Sequence, residues 1–284
     1  MNNTIFHKIE LVNEKDRTFT KNDFASRISK ELKQFMQPAL LESVVIPETR
    51  RQNIQPAQTI PESTDFSLED LADFWQINGV SYRNDIYQVD LGKELLENKA
   101  SKKQDKWVEY TKQALTNDGF YVGDMPLYHS LFTTLFKNDH SQFKDNIEQV
   151  RQFLQEMFKD YWLMTLSRIR YGASGEDLVM HNYGLQDKLE VQQNIVGPDG
   201  FITQTNPQNE LNAILGNNNI NEINQVYNWI TGKNAYLWRV NSKPEQDTER
   251  VVGFVSYADG AYLDCGRYPS GSDGALSVRA KKIR

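Results

Sequence analysis

Four histidines and one cysteine are the side chains of this sequence best suited to metal binding or nucleophilic attack, and their spacing supports neither. His7, His129, His140 and His181 lie far apart, with no H-x-x-x-H or C-x-x-C pattern. A metal site needs His, Cys, Asp or Glu at convergent spacing. His181-Asn182 sits beside Tyr183 in a strand or turn, where a satisfied hydrogen-bonding pair is the simplest role. Cys265 has no second cysteine for a disulfide. It also alternates with Leu263 on what reads as an inner face, the usual place for a small buried side chain. Gly172-Ala173-Ser174-Gly175 lacks the G-x-S-x-G spacing of a nucleophile elbow, and no dinucleotide or P-loop pattern is present. The carboxylate pairs Glu69-Asp70 and Glu176-Asp177 are adjacent in sequence and read as solvated. No catalytic residue, metal or cofactor is expected.

Contact chemistry is better represented. The thirty residues from Val251 to Ala280 contain no Lys, Glu, Gln, Met or Trp. Those five types make up 68 of the 284 residues, so about seven would be expected in thirty. Tyr, Ser, Gly, Asp, Ala, Val and Arg take their place. That vocabulary overlaps the one used by antibody-like contact surfaces, where Tyr gives rigid area and Ser and Gly give adaptable polar contacts. It also lies within the set reached when both adenines of an Asn codon (AAC or AAT) are replaced freely; the five missing types cannot be reached that way. From Tyr262 to Tyr268 the chain alternates. Tyr262, Asp264, Gly266 and Tyr268 fall on one face, and Leu263, Cys265 and Arg267 on the other.

The string Leu263-x-Cys265-x-Arg267-x-Pro269, followed by Ala275-Leu276-x-Val278-Arg279 near the chain end, resembles the variable proteins of diversity-generating retroelements. The resemblance covers the last thirty-five residues well and the preceding eighty loosely. It implies a C-type lectin-like domain whose C-terminal region is rewritten by adenine-directed mutagenesis. Leu263, Cys265, Arg267, Pro269, Ala275, Val278 and Arg279 fall on its fixed positions. Ser256, Tyr257, Ala258, Asp259, Tyr262, Asp264, Gly266, Tyr268, Ser270, Ser272 and Asp273 fall where variable, ligand-binding ones would be. The resemblance therefore implies a non-enzymatic binding protein with a protein or cell-surface ligand, and a homo-oligomer that multiplies weak sites. Neither the Glu-Pro-Asn nor the Gln-Pro-Asp string of calcium-dependent lectins occurs; Asn206-Pro207-Gln208 is the nearest. One cysteine also cannot supply the pair used by the related formylglycine-generating enzymes. The expectation is that Ser256, Tyr257, Asp259, Tyr262, Asp264, Tyr268, Ser270, Ser272 and Asp273 are exposed on one surface, over buried Leu263, Cys265 and Leu276. Trp238 is expected in the same core, and Arg267 and Arg279 in structural hydrogen bonds.

These residues need elements to hold them. A weakly alternating strand is expected over 4–12 and a helix over 22–37, followed by a Pro-containing linker over 44–64. Ser67-x-x-Asp70 reads as a capping pattern opening a short helix, and 82–91 as a hairpin or extended segment. Helices are expected over 102–115, 126–136 and 141–164, each with one apolar stripe. Beyond Leu166 turns and short strands take over. Two short helices closed by Gly216 and Gly232 follow, then strands over 235–240 and 250–255. The expected fold is α+β: a mainly helical N-terminal region over 1–165, then a C-type lectin-like domain over 166–284.

A net charge of −6 gives no global field for nucleic acid. No apolar run is long enough to span or insert in a membrane, and the N-terminus has no readable signal core. Cytoplasmic synthesis is expected, with later association with a virion or cell surface left open. The rival reading is an enzyme or assembly subunit with a site in the cleft between the two halves, built from His181, Asp177 and Tyr183.

Overall fold

A computed structural model describes residues 66–284. The strand, helix and linker expected over 4–12, 22–37 and 44–64 lie outside them. The fold is α+β. Strands β1 (Ser67–Asp70), β2 (Phe74–Tyr82), β3 (Asp85–Gly92) and β11 (Val278–Lys282) form an antiparallel sheet in the order β1-β2-β3-β11. The end of the chain thus pairs with the first hairpin. Arg279 secures that pairing, donating Nε and Nη2 to the buried carboxylate of Asp90 at 2.9 and 2.7 Å. Arg83 and Asn84 turn the hairpin, both at positive φ, as a two-residue turn matched to strand twist demands. Gly79, at φ 83°, marks a bulge in β2. The extra residue changes the parity of the strand, so Trp75 and Ile77 before it and Val80 and Tyr82 after it all face the core.

The second sheet has seven strands, in the order β6 (Leu189–Gln192), β5 (Leu178–His181), β4 (Leu163–Tyr171), β9 (Thr248–Ser256), β10 (Ala261–Arg267), β8 (Ala235–Trp238) and β7 (Gly200–Phe201). All neighbours are antiparallel except β10 and β8, which run parallel. Among the described residues five helices accompany the sheets: α1 (Gln104–Thr116), α2 (Met125–Lys137), α3 (Lys144–Asp160), α4 (Gln208–Leu215) and α5 (Ile220–Thr231). Asp124 caps α2 by accepting the Leu127 amide at 2.9 Å, with Pro126 in the first turn. Before α1, Glu97, Asn98 and Lys99 form a left-handed turn at positive φ.

The core gathers on β9. The ring of Phe254 lies 5.2–6.1 Å from the rings of Phe158 on α3, Phe132 and Tyr128 on α2, and Tyr227 on α5. Across the sheet Phe254 pairs with Leu163 on one side and Leu263 on the other.

Four expectations are corrected. The boundary placed at 165/166 falls inside β4, a central strand, and residues 66–284 belong to one compact unit. The described part of the expected helical region holds three strands besides its three helices. Ser67-x-x-Asp70 is strand β1, not a helix start: Ser67 Oγ accepts from Asn78 Nδ2 across the sheet at 2.8 Å, and Leu68 is buried. A cross-strand partner has replaced the cap. The third expected helix also ends earlier, at Asp160, where the chain turns into β4. Among the described residues no helix is long and apolar enough to cross a membrane.

Phe254→Ala should cost about 3–5 kcal/mol in urea denaturation, because four neighbouring rings cannot all close on the void. Phe201→Ala, at an exposed ring, should cost under about 1 kcal/mol.

Candidate contact face

The register of β10 sets the site. Tyr262 lies beside Tyr236 and Asp264 beside Trp238 on β8, while Leu263 pairs with Phe254 on β9. Ala261, Leu263 and Cys265 are fully buried on the inner face, as is Leu276 from the segment before β11. Tyr171 Oη donates to the Cys265 carbonyl at 2.9 Å, and burial pushes the Cys265 thiol well above its ordinary pKa.

The outer face is a file of aromatic rings. Phe201 stands edge-on to Tyr236 at 5.2 Å, Tyr236 packs on Tyr262 at 4.7 Å, and Tyr262 meets Tyr257 at 5.2 Å. Tyr257 then meets Trp162 at 6.4 Å, and the Arg267 guanidinium lies 4.1 Å above Trp162. Trp238 lies against Gly266, where an added Cβ would come within 2.9 Å of its indole. Phe201 and Trp238 are 47% and 44% exposed. Trp238 is therefore on the surface rather than in the core expected for it. Phe201, Tyr236 and Trp162 were not anticipated either. A signal was present: Tyr236 and Trp238 are two apart, with Ala235 and Leu237 on the opposite face.

The eleven sequence-derived positions divide. Ala258, Asp259, Tyr268, Ser270 and Ser272 are exposed, and Tyr257 and Gly266 half-buried. Ser256, Tyr262, Asp264 and Asp273 are buried, contrary to expectation. Each has a physical reason. Neighbouring rings cover Tyr262, whose hydroxyl donates to Asp259 at 2.9 Å. Ser256 Oγ accepts from Lys233, which also donates to the Tyr257 carbonyl. Asp273 takes both Nε and Nη2 of Arg267 at 2.8 and 2.7 Å, and its backbone bridges to Lys102. Asp264 accepts the Gly266 amide at 2.8 Å beside a hollow of about 10 Å³ shared with Trp162, Arg267 and Asp273. Nor do the exposed positions form a single cluster. They lie at the two ends of β10, about 20 Å apart at strand rise, with the aromatic file between them.

His181, Asp177 and Tyr183 have separate partners. His181 Nε2–H donates to the Ala213 carbonyl at 2.8 Å, so Nδ1 accepts the Ser167 hydroxyl at 2.8 Å. Asp177 takes the amides of Gly172, Ile195 and Val196 and the ammonium of Lys243. Tyr183 Oη accepts from Arg168 at 2.7 Å. The structure does not bring the three together as one constellation.

Burial raises the Asp264 carboxyl to about 6; the Gly266 amide and Arg267 oppose that shift, and Asp273 and Asp199 add to it. A raised acid pKa contributes stability that is complete below the unfolded value near 3.8 and lost as pH climbs through 6. Asp264→Asn should therefore gain on the wild type by about 2 kcal/mol between pH 4 and 7, read as the difference between their urea midpoints. A constant difference across that range would sink the assignment.

Comparison of the chain with protein-family models, curated proteins and solved structures finds no match.

Proposed function

We propose that the chain is a ligand-binding protein that presents a diversified contact surface from its C-terminal strands on a C-type lectin-like scaffold. The single observation that carries this reading is the outer-face aromatic file from exposed Phe201 through Tyr236 to Tyr262, with exposed Trp238 beside Tyr262, over a strand whose Ala261, Leu263 and Cys265 are wholly core. Rings with one apolar face and few rotors dominate contact energy at protein surfaces. The exposed positions at each end of β10 supply small and polar side chains around that anchor. Two short helices, then β8 to β10, with the chain ending in a strand, is the element order expected of the scaffold. The ligand class it fits is a protein or cell-surface molecule.

Within this reading the positions do not carry equal freedom. Ala258, Ser270 and Ser272 can change identity at little cost to the fold, whereas Asp259 accepts the Tyr262 hydroxyl at 2.9 Å and the Tyr268 ring lies 3.9 Å from the Arg250 guanidinium. Ser256, Asp264, Gly266 and Asp273 each hold a local bond or close contact. A library varying Ala258, Ser270 and Ser272 among residues reachable from an Asn codon should stay within about 1 kcal/mol of the parent, whereas Leu263→Asp should unfold the domain. Diversification itself is read from the coding locus. A near-copy of the codons for 251–280, differing only at adenines and lying beside a reverse transcriptase gene, is the expected finding. A locus without such a copy overturns the diversified reading.

A further inference from the structure

The aromatic file differs in charge from one end to the other. At the Tyr257–Trp162 end cations are already in place. Lys233 donates to the Tyr257 carbonyl and the Ser256 hydroxyl, and Arg267 lies over Trp162 while paired with Asp273. At the Phe201–Tyr236–Trp238 end carboxylates take their place. Asp199, two residues before Phe201, accepts the Arg239 amide at 2.7 Å and Asn241 Nδ2 at 3.3 Å. Asp259 accepts the Tyr262 hydroxyl at 2.9 Å. Those donors are all neutral, and among the described residues neither carboxylate has an ion-pair partner. Arg239 supplies its amide but not its guanidinium, which is buried against Glu210. Burial first, then the fields of Asp199 and Asp259, raise the pKa of the Tyr236 hydroxyl, so both carboxylates act on that ring.

The sheet sets where the two carboxylates stand. β10 runs parallel to β8, so Asp259, two residues before Ala261, stands by the start of β8 at Ala235. Asp199 is bonded just past the end of that strand, at Arg239. Four residues of strand rise, about 13 Å, separate those points, with Tyr236 and Trp238 between them. An exposed ring face attracts a cation through its quadrupole, Trp most strongly. A guanidinium also finds in a carboxylate its best-matched acceptor. Rings and carboxylates thus favour the same ligand charge. An acidic partner meets repulsion from Asp199 and Asp259, and a purely apolar one leaves their field uncompensated. Four residues of an extended peptide span the same length, and its side chains at i and i+4 point the same way. We propose that this end of the contact face binds an extended basic segment of a partner protein. Two Arg or Lys side chains four residues apart meet Asp199 and Asp259, and the chain between them crosses Tyr236 and Trp238. This rests on the contact-surface reading given above and adds to it the charge and form of the partner.

The test is fluorescence anisotropy of the full chain with a labelled Gly/Ser peptide carrying two arginines four residues apart and a leucine midway. Matched peptides carry citrulline (neutral, same shape) or glutamate in place of arginine. The arginine peptide should bind saturably and about tenfold more tightly than the citrulline peptide, and the glutamate peptide more weakly than either. Asp199→Asn with Asp259→Asn keeps acceptors for the Arg239 amide and the Tyr262 hydroxyl, and should remove most of the preference for arginine. Trp238→Leu, at an exposed ring, keeps apolar area without a π face and should weaken the arginine peptide about fivefold. The proposal is overturned if the arginine peptide does not bind the wild type or binds no better than its citrulline match; neither comparison needs a variant to fold. It is also overturned if the folded double variant keeps the preference. Equal binding of arginine and citrulline peptides, both weakened by Trp238→Leu, overturns the charge assignment and leaves the contact face standing. Arginine-peptide binding indifferent to Trp238→Leu overturns both readings.

Discussion

Phe254 is the contact on which the other parts of the fold depend. Its ring meets rings from α2, α3 and α5, and its backbone sits between β4 and β10. With helices filling one side of β9, the neighbouring strand β10 has only one way to place its apolar residues. Leu263 and Cys265 go toward the helices, so Tyr262, Asp264 and Gly266 go outward. A shift by one residue would bury the Asp264 carboxylate among phenyl rings and expose Leu263, which period-two strands cannot tolerate when one face is core. Core packing thus fixes which side chains are available for contact.

The outer face has its own structure. Its centre is a packed aromatic layer in which Tyr262 is an interior member, Gly266 leaves room for Trp238, and Arg267 is shared between Asp273 and Trp162. In the turn before β10 and the loop after it, Ala258, Ser270 and Ser272 are exposed, while Asp259 bonds Tyr262 and Tyr268 packs on Arg250. Rigid anchors in the middle with adaptable residues at the ends is a workable contact surface, because little side-chain entropy is lost on binding where rings are already fixed. Asp264 is the exception. Its carboxylate is nearly buried with one amide for company, and the charged form is held at a cost in stability.

Much of this was legible in the sequence where local pattern decides. The alternation of β10, the glycine ends of α4 and α5 and the apolar stripe of α3 follow from spacing alone. What could not be read is set by contacts distant along the chain. The strand character of Ser67–Asp70 depends on β2, and the parity change at Gly79 breaks the alternation that would reveal it. The parallel pairing of β10 with β8 brings Tyr236 and Trp238 over Tyr262, which buries a tyrosine that its own strand would display. Arg267 and Asp273 are six residues apart, yet their pairing depends on a loop whose path is fixed by Lys102 and Trp107 on another element. Burial on the outer face is therefore a property of neighbouring strands, not of the period of β10.

The division of β10 into a core face and an outer face can be tested through its single thiol. The measurement is the rate at which a thiol reagent modifies native Cys265, compared with a cysteine placed at Ser270 in a Cys265→Ala background. Thiolate exposure controls this chemistry, and a fully buried thiol with a raised pKa reacts only when the structure opens. Cys265 should label at least about a thousandfold more slowly than position 270, the ratio set by a global stability of several kcal/mol. Comparable rates at the two positions in the folded protein would contradict the assignment of Leu263 and Cys265 to the core, and with it the contact face built on the opposite side.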